Sequence, residues 1–374
     1  MAYNRKQRLN DNIKAIETAF ILDREQRTPT ARERLLLERY CGFGGLKCIL
    51  NPARELADAV HWAKSDLELF APTVELHRLI RENSKNESEY KQLMDSLKQS
   101  VLTAFYTPSA VTEALTDVLK EHQVIPEKVL EPSAGIGAFV DSVLDNNPKA
   151  DIMAFEKDLL TGKILRHLHP EQKVRIEGFE KIEKPFNDYF DLAISNIPFG
   201  DVAVFDPSYT AMKGMRALVT RRIHNYFFVK ALDTVRDGGL VAFITSQGVL
   251  NAKNNSAARF MMLYHADLVS AIRLPNNLFT ENANTEVGSD LIILQKNTQK
   301  ESLRGDDNLL DTVYNDENRI PTNNYFLEHP ERIIHTTAKL DTDPFGKPAM
   351  IYTHEDGVEG IAEDLRKMLH EDFK

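Results

Sequence analysis

Cysteine is nearly missing from this sequence, and so are long apolar runs and any excess of positive charge. Each shortage closes off a class of protein. The only cysteines among 374 residues are Cys41 and Cys48. Two thiols build no disulfide framework, which points to a reducing cytoplasm. They stand seven residues apart and the histidines are scattered, so no metal-ligand spacing is present and no metal is expected. No stretch approaches the roughly 20 apolar residues of a membrane span, and no secretory signal opens the chain. Net charge is −10, from 56 acids and 46 bases, which at first argues against a polyanionic partner. The deficit is local. From Lys300 onward 17 acids face 9 bases, so this tail carries −8 and residues 1–299 only −2.

What is present is the composition of an ordinary globular chain, 42% apolar and 27% charged. Its length allows one large domain with extensions, or two domains. Residues 1–100 read as a helical region. Leu9, Ile13, Ile16 and Phe20 share one face, and Thr30-Ala31-Arg32-Glu33 is a capping box ahead of Leu35, Leu36, Leu37 and Tyr40. A further helix is expected over Glu87–Leu102, and the glycine-rich Cys41–Lys47 reads as a helix stop and turn. Residues 101–299 alternate short apolar runs with helical patterns, the signature of a mostly parallel α/β sheet. Residues 300–374 form an acidic extension that ends in an amphipathic helix marked by Ile361, Leu365, Met368 and Leu369. This extension is expected to be peripheral.

The segments that carry chemistry lie mainly between 104 and 200. Lys128–Glu131 reads as a strand, followed by the turn Pro132-Ser133-Ala134-Gly135-Ile136-Gly137 and a helix start. Gly135 and Gly137 allow positive φ and close backbone approach beside a helix N-terminus with free N–H groups. The next strand, Asp151–Phe155, ends at Glu156, an acid 19 residues after Gly137 and near the spacing at which a carboxylate meets ribose hydroxyls. No third glycine follows in dinucleotide register, and Glu131-Pro132 precedes the turn, which disfavours a nicotinamide site. A third strand, Lys173–Glu177, leads to Gly178-Phe179-Glu180. A fourth, Phe190–Ile194, leads to Ser195-Asn196-Ile197-Pro198-Phe199-Gly200. An Asn carboxamide and a neighbouring carbonyl accept both hydrogens of an exocyclic amine, while a Phe ring stacks on the base that bears it. Those are the demands of methylating an amino group on a flipped nucleobase. Upstream, Thr107 reads as an N-cap and Pro108 as the first residue of a helix to about 120.

Downstream, His224–Leu232 is helical and closes at Arg236-Asp237-Gly238-Gly239. Leu240–Thr245 is a buried parallel strand, with Ser246–Asn251 at its carboxyl end. Leu268–Leu274 and Asp290–Gln295 are two more strands, joined by the Asn-rich loop Asn276–Ser289. Between Asp201 and Lys230 five bases oppose Asp201 and Asp206, and Lys213, Arg216, Arg221 and Arg222 are the candidate contacts to a phosphate backbone.

Taken in order, these segments resemble the motifs of class I methyltransferases that use S-adenosylmethionine, and among them the DNA adenine-N6 enzymes. Asn196-Ile197-Pro198-Phe199 resembles their catalytic Asn/Asp/Ser-Pro-Pro-Tyr/Phe motif, with Ile197 in place of the first proline. Pro198 still holds Ile197 extended, whereas Asn196 loses that restraint. Phe105-Tyr106-Thr107-Pro108 resembles the motif that shapes the methionine pocket. The resemblance implies a Rossmann-like, seven-stranded, mostly parallel sheet with one antiparallel strand. It also implies cofactor contacts at Phe105, Tyr106, Thr107, Pro108, Glu131, Pro132, Ser133, Gly135, Gly137, Glu156, Lys157, Phe179, Glu180 and Asn196. Glu131 would sit near the methionine, Glu156 on the ribose and Phe179 against the adenine. Glu180 or Glu177 would take the adenine amine. The motif order is that of the γ class, and the implied activity is N6 methylation of an adenine flipped from DNA. Methylation of RNA guanine N2 or of a protein glutamine, and a catalytically silent binding module, stay open as alternatives.

The string Gly42-Phe43-Gly44-Gly45-Leu46 also resembles the entry segment of large methyltransferase-helicase polypeptides of phages and mobile elements. That resemblance covers roughly residues 35–335, including Asn323-Asn324-Tyr325-Phe326-Leu327-Glu328-His329-Pro330. No helicase motif is present. The chain is expected to be a standalone relative or an excised module that relies on a helicase, a specificity partner or further polypeptide.

Overall fold

Short apolar runs bounded by turn residues are too short for core helices, so they extend and pair. In the computed structural model of the chain, which describes residues 4–103, 106–212, 214–280, 286–303, 305–314, 320–343 and 346–374, seven of them build one sheet. The strands are β1 Lys128–Glu131, β2 Asp151–Phe155, β3 Lys173–Arg175, β4 Phe190–Asn196, β5 Val235–Ser246, β6 Ala266–Leu274 and β7 Ser289–Lys296. Their spatial order is β3-β2-β1-β4-β5-β7-β6. All pairs are parallel except those of β7, which runs antiparallel to both β5 and β6. This is the class I methyltransferase sheet, with its single antiparallel strand. The order reverses between β1 and β4, and in open α/β sheets the crevice at such a point receives the ligand.

Before the sheet come helices α1 Arg5–Glu25, α2 Ala31–Leu37, α3 Phe70–Glu82 and α4 Glu87–Thr103. The capping box forms as its residues dictate: the Glu33 amide donates to Thr30 Oγ1 at 3.3 Å and the Thr30 amide to Glu33 Oε2 at 2.8 Å. Helices α5 Ser109–Glu121, α6 Ala138–Asn146 and α7 Leu159–Leu168 follow, and the helical region seats Leu9, Ile16 and Phe20 against Leu160 and Ile164 of α7. The helices from there on are α8 Pro207–Thr210, α9 Met215–Val219, α10 Ile223–Thr234, α11 Gly248–Asn251, α12 Ser256–His265, α13 Asn324–Glu328 and α14 Gly357–Asp372. Side chains of α10 and α12 fill the opposite face of the sheet from α5 and α6.

Three expectations shift. Helix α5 begins at Ser109 with Pro108 as its cap, and the Thr107 side chain makes no capping bond. The Arg236–Gly239 stretch does not end a helix. Helix α10 stops at Thr234, and 235–239 already belong to β5. Gly239 is needed there because a Cβ would lie 2.9–3.2 Å from the carbonyl oxygens of Arg236, Asp191 and Phe190. The C-terminal segment is not peripheral either. Ile361, Leu365 and Leu369 of α14 are fully buried in one cluster with Leu115 and Leu119 of α5 and Ile272 of β6. At its edges, Arg366 meets Asp117 and Glu121 of α5, and Asp372 pairs with the buried Arg332. An amphipathic helix with a free sheet face beside it docks there, because burying the stripe removes apolar area from water. Leu365→Ala is expected to lower unfolding stability by about 2–5 kcal/mol in a denaturant titration; a truly peripheral helix would lose far less.

Candidate active site

The two loops at the switch point are held by carboxylates. Glu131, the last residue of β1, is 2% exposed, and its Oε1 accepts from the Ser133 amide at 3.1 Å. Burial pushes its carboxyl up to about 8, opposed by hydrogen bonding to Ser133 and by the buried Ser195 hydroxyl of β4 alongside. Glu156, past the end of β2, accepts from the Gly135 amide at 2.8 Å through Oε2 and from the Asp158 amide at 2.7 Å through Oε1. Burial, and then the Asp158 charge, also push Glu156 up to about 8. Neither acid has a cationic side chain as a salt-bridge partner among the described residues.

Gly135 and Gly137 adopt φ of 57° and 99°, which a side chain rarely tolerates. A Cβ on Gly135 would stand 2.8 Å from the Tyr106 ring, so the Tyr-Thr-Pro segment lies directly on the glycine turn. Thr107 is 7% exposed with an unpartnered hydroxyl. Together with Tyr40, Pro108 and Ile136 it lines a cleft of about 330 Å³. Pro132 is buried, Ser133 half-buried and Lys157 exposed, while Phe105 lies outside the described residues.

At the β3 end the two candidate acids separate. Glu177 is tied to Arg175 at 2.5 Å. Glu180 has no side-chain partner among the described residues and folds over Gly178, where any Cβ would collide with it. Phe179 departs from its expected place against a ligand ring. It is 1% exposed, with ring centroids 5.8 Å from Phe155 and 5.3 Å from Phe227, because an aromatic at the sheet edge finds more apolar contact inward.

Strand β4 runs through Asn196, which pairs with Ile244 of β5, and the Ile197 amide donates to the Ile244 carbonyl at 3.0 Å. A proline at 197 could not make that bond. Isoleucine therefore restores by hydrogen bonding the restraint that the missing proline would have supplied. Its side chain is 1% exposed in the core, and Pro198 fixes the direction of its carbonyl. Phe199 is half-buried, edge-on to Phe279 with centroids 6.3 Å apart at 74°.

Two residues went unread in the sequence. Phe279 closes the short helix after β6 and looked like part of an Asn-rich loop. Gln247, just past β5, has an unpartnered buried Nε2 and an amide that a Cβ on Gly288 would overlap. Two asparagines of that loop serve structure: Asn276 and Asn277 accept from the Tyr352 and His354 amides at 3.0 and 3.1 Å.

Strands β1 and β4 are adjacent and in register, Leu130 beside Ala193, so Glu131 and Asn196 emerge on the same edge. Glu156, Gly135 and Tyr106 join them there. The basic residues scatter instead. Arg216 donates two hydrogen bonds to the Asp233 carboxylate, at 2.6 and 3.0 Å. Asp233 sits eleven residues along from Arg222, roughly 16 Å down α10 from that helix's N-terminal end. Arg222 is held by Asp201 at 3.1 Å and by Asn254 and Asn255 at 2.7 and 2.9 Å. Lys213 lies outside the described residues, which leaves Arg221 exposed and without an ion pair among them. The expected basic patch thus contracts to the top of α10, since charges counted along the chain are spent on internal partners.

A glycine cradle, one buried and one half-buried acid without a cation and an orphan hydroxyl suit a cationic ligand that also carries hydroxyl groups. The acids give a pH signature. A carboxyl whose folded value is raised holds its proton where the unfolded chain has lost it, so stability falls as pH rises from about 4.5 to about 8. Relative to the wild type, Glu131→Gln is expected to gain unfolding stability between pH 5 and pH 8.5, measured by denaturant titration at both ends.

Comparison with known proteins bears on this geometry. The model of the family described as N-6 DNA methylase matches residues 88–352. The chain is 29% identical over 201 residues to "defense against restriction protein B" of Escherichia phage P1, covering 52% of this chain and 8% of that protein. It is 25% identical over 173 residues to the type II methyltransferase M.XamI of Xanthomonas campestris pv. amaranthicola, covering 43% and 33%. The chain therefore spans a third or less of these relatives. A methyltransferase subunit of a type I restriction-modification system from Streptococcus thermophilus superposes at a TM-score of 0.44 and 13% identity, over 79% of this chain and 80% of that one. With the family model matching most of its length and the sheet order matching that of class I methyltransferases, this chain belongs to the N-6 DNA methylase family.

Proposed function

We propose that the chain transfers a methyl group from S-adenosylmethionine to the N6 amine of an adenine turned out of duplex DNA. The observation that carries the reading is the common edge of β1 and β4, which sets the Glu131 turn beside Asn196 and the pinned Ile197. When bound, S-adenosylmethionine supplies an electrophilic methyl carbon on a sulfonium. Glu156 is placed to accept from ribose hydroxyls, Glu180 to accept from the cofactor's adenine amine, and the Thr107 hydroxyl to meet the methionine end. Glu131, which a neighbouring cation would drive to release its proton, then lends negative charge to the cationic side.

On the substrate side, the Asn196 carboxamide oxygen and the Ile197 carbonyl accept the two hydrogens of the target amine. Both acceptors draw the nitrogen lone pair out of conjugation with the ring and stabilise the positive charge that develops on it. Phe199 offers the face on which the base stacks. The proton leaves to solvent after transfer, so no side chain needs to act as a strong base. The rate comes from positioning and fixed dipoles. Arg221 is placed to meet a phosphate. The segment after 300 is acidic in sum and its last helix is engaged in packing, so we assign sequence recognition to a helicase, a specificity partner or further polypeptide.

Tritiated S-adenosylmethionine, offered with unmethylated duplex DNA, ribosomal RNA and protein, tests the reading. Label in DNA as N6-methyladenine is expected, and label only in RNA or protein overturns it. Failure to bind S-adenosylmethionine in calorimetry would mark a silent module. Asn196→Ala and Phe199→Ala are each expected to cut transfer by about 10²- to 10³-fold, with cofactor affinity unchanged in Phe199→Ala. Arg221→Ala should weaken duplex binding and lower its salt dependence by about one counterion.

A further inference from the structure

Glu156 is held by a relay that begins outside the sheet. Ser96 of α4 is 5% exposed. Its Oγ donates to Asp158 Oδ2 at 2.8 Å and accepts from the Leu160 amide at 3.0 Å. Asp158 caps α7 by accepting from the Thr161 amide at 2.7 Å, and its own amide donates to Glu156 Oε1 at 2.7 Å. One serine of the helical region thus fixes the acid that orients Glu156.

A second contact runs in parallel. The Tyr40 hydroxyl, just beyond α2, and the Tyr106 hydroxyl lie 3.3 and 3.4 Å from Thr161 Oγ1. The Tyr106 ring rests on Gly135, whose amide is the other donor to Glu156. Two well-separated points of the helical region therefore converge on the same carboxylate, one through Asp158 and one through Thr161. A half-exposed carboxylate with a free side chain samples several rotamers. Anchoring both its oxygens through these neighbours removes that freedom before any ligand arrives.

We infer that the N-terminal helical region is a working part of the cofactor site, with Ser96 and Tyr40 as positioning residues for the ribose-reading carboxylate Glu156. This rests on the methyltransferase reading and extends it to residues outside the sheet. Ser96 lies outside the cleft, and Tyr40 enters the assignment through its hydroxyl. Both act through Asp158 and Thr161.

Calorimetry on the full chain tests it without an activity assay. The probes are S-adenosylhomocysteine and its 2′-deoxyribose counterpart. The wild type is expected to prefer the ribose form. Ser96→Ala should weaken binding of the ribose form several-fold and shrink that preference, because the deoxy form depends less on Glu156. Ser96→Thr, which keeps a hydroxyl, should restore it. Tyr40→Phe removes only the phenol oxygen and is expected to move the preference in the same direction, which gives a second arm if Ser96→Ala fails to fold. A Ser96→Ala protein with wild-type affinity and full ribose preference overturns the inference alone. So does an equal loss for both probes, which marks a merely structural serine. A wild type that binds neither probe overturns the methyltransferase reading and this inference with it.

Discussion

The parallel pairing of β1 with β4 is the constraint on which the rest depends. These strands are distant in sequence, and placing them side by side forces the connections on either flank to depart in opposite directions. The crevice that opens at their carboxyl ends receives the Glu131 turn from one strand and the Asn196 loop from the other. Neither loop is a site alone. The glycine turn offers amides and acids without an acceptor for a base, and the Asn-Ile-Pro-Phe loop offers acceptors with no room for a donor group.

Electrostatics inside that crevice run against stability. Glu131 is a buried acid and Glu156 a half-buried one, with hydrogen bonds but no cation, and their raised proton affinity records the cost. A fold that retains such a pair keeps it for a partner of opposite sign, which matches the chemistry of a sulfonium ligand. Several arginines are committed elsewhere: Arg216 to Asp233, Arg222 to Asp201, and Arg273 to Asp290 in a fully buried pair. None of them neutralises Glu131 or Glu156.

Much of the site was legible because its chemistry needs particular residues in short, ordered strings. The Pro132–Gly137 turn, Glu156, and Asn196 to Phe199 each occupy a strand end that a local hydrophobic pattern already announces. What escaped local reading depends on contacts made far along the chain. The role of Ile197 required seeing that Ile244 lies beside it. The inward turn of Phe179 required Phe155 and Phe227. The acidic tail looked peripheral since its sequence does not say that a sheet face stands open to receive α14.

By itself, the sequence determined the class of chain, the positions of the strands and the residues we propose for amine methylation, because periodicity, glycine conformation and side-chain chemistry are local properties. Only the tertiary structure decided which arginines remain free for a phosphate, which acid at the β3 end is unengaged, and that the helical region grips Glu156. Those outcomes are set by competition among partners, and a partner 30 or 60 residues away leaves no mark in the local pattern.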